Sequence, residues 1–402
     1  MSGAGKAGQA WRLLRTSGPR AIAQRAVRAA YGRLGAEQLD FPLLPGDIAD
    51  STRLDLPVPP ARPTPGTPLR IAWVTTPPAA GSGGHTTMFR MVEALEEAGH
   101  TCELLLYDRY AGDLDRHRDV IRTAWPWVRA GVSDVGKPWG PIDAAVATSW
   151  QTAHVLARHS ERVPCRRLYF AQDFEPYFYP RGSEYALAED TYRFGFRTVA
   201  VGHMVARSVE EVSGEAADVA EFGCDTDVYR LTNDGPRDGV AFYAKPGTAR
   251  RGFLLAALAL DEVHHRHPEV EIHLFGDSSA EVPFPVTRHG NVRPSDLSVI
   301  YNRCVTGLAM SFTNISLIAE ELLACGTVPV VNDHPDARAD IDHPAVRWAL
   351  PTPGALADEL SSAIEAPDAA ERARAAAAAV RSQRWSPARA TVLAAVEREV
   401  YG

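Results

Sequence analysis

Between residues 69 and 202 five short apolar runs recur: "LRIAWVTT" (69–76), "CELLLYD" (102–108), "DAAVATS" (143–149), "RRLYFAQD" (166–173) and "RTVAVG" (197–202). Most lead into a segment with helical spacing. The runs are almost continuously apolar rather than alternating, as parallel strands covered on both faces require. A second series follows: "VAFYAKP" (240–246), "EIHLFGD" (271–277), "VTGLAMS" (305–311) and "TVPVVND" (327–333). Two Rossmann-like, doubly wound α/β domains facing across a cleft are therefore expected, with ligands beyond the C-terminal ends of the strands.

A chain of 402 residues exceeds what one hydrophobic core usually serves. The polar stretch "RLTNDGPRDG" (230–239) carries the Gly, Pro and Asn of a hinge between the two series. The expected division is a basic arm with a Pro-rich linker at 1–68, a first domain at 69–232, a second at 233–385, and a C-terminal helix at 386–402 that can return to the first domain. Residues 1–36 hold Lys6, Arg12, Arg15, Arg20, Arg25, Arg28 and Arg33 and no acidic residue. Apolar residues recur among these cations three and four apart. Three readings stay open for the arm: a helix lying peripherally on an anionic membrane surface, a solvated or domain-packed helix, or a disordered arm.

The body is acidic, since the whole chain carries −8 despite the basic arm. That distribution argues against nucleic-acid binding. Five dispersed cysteines with no CxxC pair argue against a disulfide framework and a structural zinc site. A cytoplasmic setting follows, in solution or at the inner face of the cell membrane.

Three motifs lie where parallel strands end. In "PPAAGSGGHTTMF" a glycine-rich loop opens a helix; Gly81, Gly83 and Gly84 permit positive φ and close approach, and His85 either binds substrate or caps the turn. In "FYAKPGTARRGF" Lys245, Arg250 and Arg251 follow a strand end at the start of a helix, a placement suited to phosphate or diphosphate. In "AMSFTNISLIAEELLACGTVPVV" a hydroxyl-rich turn precedes a helix whose N-terminus can receive an anion; Glu321 is placed to bind ribose hydroxyls and Glu320 to face solvent. Asp173 and Glu175 stand at another strand end, able to hold a ligand's hydroxyl groups or take a proton. Tyr177, Phe178 and Tyr179 beside them suit stacking on sugar rings. Asp225 and Asp227 in "CDTD" read as turn residues rather than a metal-binding DxD, and no metal site or cofactor is expected.

The spacing of "SFTNISLIAEELLACGTVPVV" resembles the nucleotide-sugar motif of family 4 glycosyltransferases, with one departure: of that family's two glutamates with seven residues between them, Glu321 matches the second and Thr313 stands in place of the first. Together with "SGGHTTMFRMVEALEEAGH" and "QDFEPYFYPRGSEYALAEDTYRFGF", the block resembles the WsaF-type rhamnosyltransferases over about residues 69–350. The resemblance implies the GT-B fold, with an N-terminal acceptor domain and a C-terminal donor domain. It also implies metal-independent, retaining transfer from dTDP-L-rhamnose or another nucleoside diphosphate sugar to a cell-surface polysaccharide or glycolipid. Lys245 and Arg251 then hold the diphosphate, and Arg250, Thr313, Asn314, Ser316, Leu317 and Glu321 complete the donor side. Gly83, Gly84, His85, Asp173, Glu175 and Tyr177 belong to the acceptor side, and Asp173, Lys245 and Arg251 to catalysis. Another sugar nucleotide, a sugar-nucleotide epimerase of similar fold and a non-catalytic binding module of this fold remain alternatives.

Overall fold

The computed structural model describes residue 23 and residues 26–31, 33–34, 41–315, 317–380 and 384–402. Most of the basic arm, and Ser316 of the hydroxyl-rich turn, lie outside the described residues. Two compact units are formed, Met1–Ile48 and Ala49–Gly402. In the first, residues 26–31 are helical and Pro45–Asp47 makes a single tight turn.

The second unit holds two parallel sheets. The first has the order β3-β2-β1-β4-β5-β6-β7, built from β1 (Arg70–Thr75), β2 (Thr101–Leu106), β3 (Gly131–Asp134), β4 (Ala144–Ala147), β5 (Arg166–Ala171), β6 (Arg197–Val201) and β7 (Asp218–Ala220). The second has the order β10-β9-β8-β11-β12-β13, built from β8 (Gly239–Ala244), β9 (Glu271–Gly276), β10 (Thr287–Gly290), β11 (Cys304–Leu308), β12 (Val328–Asn332) and β13 (Arg347–Ala349). Strand order reverses between β1 and β4 and again between β8 and β11, so each domain has its crevice where the sequence places a motif. Ile71 to Val74 and Ala144 to Ala147 are buried along their whole length, which the helices on both faces of the sheet require. β3, β7, β10 and β13 were not read from the sequence. They are three or four residues long and stand at or next to sheet edges, where partial exposure leaves no apolar run to detect.

The segment 230–239 is not a free hinge. The side chain of Asn302 accepts from the backbone N–H groups of Thr232 (2.8 Å) and Asn233 (3.2 Å) and donates to the carbonyl of Arg230 (2.9 Å). The buried Arg237 guanidinium donates to the carbonyls of Cys325 (2.8 Å) and Cys304 (3.1 Å). These bonds anchor the segment to the second domain. The chain later returns: Ala388, Val392, Ala395, Val396 and Val400 of the helix Ser386–Tyr401 are buried in the first domain's core.

Incoming and returning strands of the connection touch at Gly223. A Cβ there would lie 2.7 Å from the backbone nitrogen of Trp385 and 2.8 Å from the carbonyl carbon of Arg384. Backbone cannot rotate aside as a side chain can. Gly223→Ala is therefore expected to destabilise the protein by about 1–3 kcal/mol, as overpacking does. Urea unfolding followed by tryptophan fluorescence measures it; an unchanged midpoint would show that the two segments separate freely.

Candidate active site between the two sheets

β5 ends at Ala171, and the next residues leave the first sheet for the second domain. The Asp173 carboxylate accepts from Thr313 Oγ1 (2.8 Å) and from the backbone N–H of Asn314 (3.1 Å), and Arg250 Nε stands 3.7 Å away. Burial raises its pKa against the opposing pull of Arg250 and Thr313. The Asn314 amide donates to the carbonyls of Gln172 and Val201, both at 2.9 Å. The turn expected to hold donor thus grips the ends of β5 and β6, and Leu317 packs against the first domain's core.

The cationic loop follows β8. Ala249–Arg251 form one tight turn, Gly252 takes the left-handed conformation (φ 61°), and the helix begins only at Phe253. Left-handed geometry favours glycine here, and a Cβ would also meet the Phe312 ring at 2.8 Å. The Arg250 guanidinium lies 4.0 Å from the centroid of Phe178. Arg251 lines a small cavity with Phe242, Tyr243, Leu308, Met310 and Ile318. Its Nη1 is buried without a hydrogen-bond partner, and burial, then the charge of Arg250, lowers its pKa. Lys245 is exposed at the rim, with Nζ 5.7 Å from the Tyr243 ring centroid.

On the first-domain side only part of the expected set is free. Of Gly81, Gly83 and Gly84, Gly81 alone uses positive φ (82°), while Gly84 lies against the side chain of Gln172. His85 caps its own turn. Its Nε2 is 3.1 Å from the carbonyl of Thr76, which fixes the proton there, and Nδ1 accepts from the Ser82 hydroxyl at 2.8 Å. Burial lowers its pKa, so the ring is neutral.

Glu175 is turned inward. Its Oε2 accepts from the backbone N–H of Trp150, at the start of the helix Trp150–His159, and from the Tyr169 hydroxyl (3.3 Å). Stacking of Phe174 and Tyr169 on Tyr192 (5.3 and 5.2 Å between centroids) holds it there, so it does not stand as an open acceptor carboxylate. Of the three neighbouring aromatics, Phe178 lies under Arg250 and the Tyr179 hydroxyl accepts from Trp150 Nε1 (3.2 Å). Tyr177 remains 44% exposed.

The glutamate pair reverses the expectation for one member. Glu320 is buried (5% exposed) with Oε2 unpartnered, rather than facing solvent. Glu321 is half-buried and accepts from the Tyr301 hydroxyl (3.3 Å). Burial raises both to about 7. Sequence reasoning missed Arg90 altogether: it pairs with Asp225 and lies 4.8 Å from the Trp385 ring centroid. Nothing in its own helix marks it, because its partners are more than a hundred residues away.

Burial pushes Glu175 from the usual 4.5 up to about 8. A carboxyl whose pKa rises on folding contributes most below its unfolded value, and that contribution is lost as pH rises through the folded value. Stability is expected to fall between pH 4.5 and about 8, and Glu175→Gln to flatten that fall. Urea midpoints across this window test it; parallel curves for the two proteins would exclude Glu175 as the titrating group.

Comparison with known proteins gives two family matches in chain order. Residues 136–204 match the WsaF N-terminal domain and residues 238–361 the WsaF C-terminal domain. The O-antigen biosynthesis protein RfbC of Myxococcus xanthus is 30% identical over 300 residues, 70% of this chain; the match spans only 23% of RfbC. Among solved structures, Anabaena HepE in complex with UDP and glucose superposes with a TM-score of 0.63 at 13% identity, over 80% of this chain and 97% of HepE. Sucrose-phosphate synthase from Thermosynechococcus elongatus gives 0.60 at 14% identity, over 80% and 96%. These likenesses show the GT-B fold.

Proposed function

We propose that the protein transfers a sugar from a nucleoside diphosphate donor, L-rhamnose from dTDP-L-rhamnose, to a cell-surface polysaccharide or glycolipid. The observation that carries the donor class is Arg251: a buried guanidinium nitrogen without a partner, beside Arg250, at a strand end of the second domain. A buried cation left uncompensated is costly, and an anionic ligand removes that cost. The choice of rhamnose rests on the resemblance of residues 169–196 and 311–331 to WsaF-type enzymes and on the two WsaF domain matches.

As the bond to the sugar breaks, negative charge gathers on the leaving diphosphate. Arg250, Arg251, the hydroxyl and amide groups at Thr313 and Asn314, and the N-terminus of the helix Leu317–Ala324 stabilise it, with Lys245 adding charge from the rim. No metal is needed for that role. Transfer with retention proceeds on one face of the sugar, where the leaving oxygen accepts the acceptor's proton and Asp173 orients the attacking hydroxyl. Glu321 is the group assigned to the nucleoside's 3′-hydroxyl.

Arg251→Ala is expected to weaken dTDP binding by about 1.5–3 kcal/mol, the scale of a hydrogen bond to a charged group. Titration calorimetry reads this, and a sugar-nucleotide panel with rhamnosyl and galactosyl acceptors reads the donor. Unchanged dTDP affinity would remove Arg251 from the diphosphate site. Transfer from a different sugar nucleotide would replace rhamnose and keep the class.

A further inference from the structure

Two guanidinium groups and a pair of neutral donors surround one carboxylate at the junction of the sheets. The Asp173 oxygens are held at hydrogen-bond distance by Thr313 Oγ1 and the Asn314 N–H, yet neither neighbouring arginine is satisfied by that arrangement. Arg250 Nε is buried at 3.7 Å, too far to hydrogen-bond, and Arg251 Nη1 is buried without a partner. One negative charge thus occupies a site lined by two positive ones. Donors in excess of acceptors fit a larger and more highly charged anion than a carboxylate.

We propose that Asp173 is a built-in stand-in for the donor's diphosphate, and that donor binding displaces it from Thr313, Asn314 and Arg250. The inference rests on the donor class proposed above. A diphosphate satisfies both guanidiniums at once, with bidentate geometry open to Arg250, whereas the carboxylate leaves them short of hydrogen bonds. Its arrival also turns the attraction between Asp173 and the site into repulsion between like charges. The released carboxylate stays at the end of β5, on the acceptor side of the cleft, because it is fixed there by its own backbone: the Asp173 carbonyl accepts from the buried Tyr192 hydroxyl at 3.2 Å. An acceptor hydroxyl therefore meets a free Asp173 only after the donor is seated, and binding is ordered with donor first. The same contact keeps the two arginines from facing each other without any counter-charge when the cleft is empty.

The test uses the full chain, with dTDP and UDP as probes in titration calorimetry. Asp173→Asn keeps the shape and removes the charge; affinity for the diphosphate is expected to tighten about tenfold, because the competing charged contact is gone. Turnover in the sugar-transfer assay is expected to fall in the same variant, and this opposite movement is not produced by a merely structural role. Unchanged or weaker affinity in Asp173→Asn, with folding confirmed by an unaltered thermal transition, overturns the stand-in while leaving the donor site intact. Failure of the unsubstituted protein to bind either nucleoside diphosphate overturns the donor reading itself, and the stand-in with it.

Discussion

The bond from Thr313 to Asp173 joins residues 140 apart in sequence and the two sheets in space. Around it the rest of the interface is arranged. Asn314 locks the neighbouring backbone to Gln172 and Val201, and Asn332 in turn fixes the loop that carries the turn, accepting from Ser311 N–H (2.9 Å) and donating to its carbonyl (2.7 Å). A second polar joint sits beside it: both carboxylate oxygens of Asp340 receive the first backbone N–H groups of the helix His203–Ser213, at 2.5 and 3.0 Å. One domain supplies a helix N-terminus and the other its cap. Such caps orient rather than glue, since each bond contributes roughly 1 kcal/mol net.

The strand ends were legible because parallel, doubly covered strands must be continuously apolar, and loops placed after them must be polar. This made Asp173, Arg250, Arg251 and Thr313 readable as site candidates. What each of them touches was not, because local spacing carries no information about a partner in the other domain. Glu320 and Glu321 show a different limit. Adjacent helical residues differ by about 100° in direction, so the sequence offers two phases, and the fold buries Glu320, near enough to Asp340 to feel its charge. Glu175 was misplaced for a third reason. Its orientation goes with the stack that brings Tyr192 back onto Tyr169 and Phe174.

The stretch 169–196 shows how one segment changes duty along its length. Tyr169 and Phe170 are core, Gln172 and Asp173 reach the second domain, Phe178 supports Arg250, and Tyr192 closes the packing behind them. The aromatic content therefore acts indirectly on the cleft. An arginine resting on a ring face is held by the ring without spending its N–H donors, which remain for an anion.

The same economy governs the acidic groups. Burial raises the pKa of Glu175, Glu320 and Glu321, which favours their protonated forms near the domain junction. If all three were ionised at neutral pH, they would compete with an incoming diphosphate for Arg250 and Arg90 and would repel it across a low-dielectric cleft. Protonating them leaves Asp173 as the carboxylate beside Arg250, while Asp225 pairs with Arg90. Its pKa is raised by burial but opposed by Arg250 and the hydrogen bonds from Thr313 and Asn314, so the charge it carries depends on the very contacts that hold the two domains together. Opening the cleft removes those contacts and the burial in one movement, which couples the electrostatics of the site to the geometry of the fold.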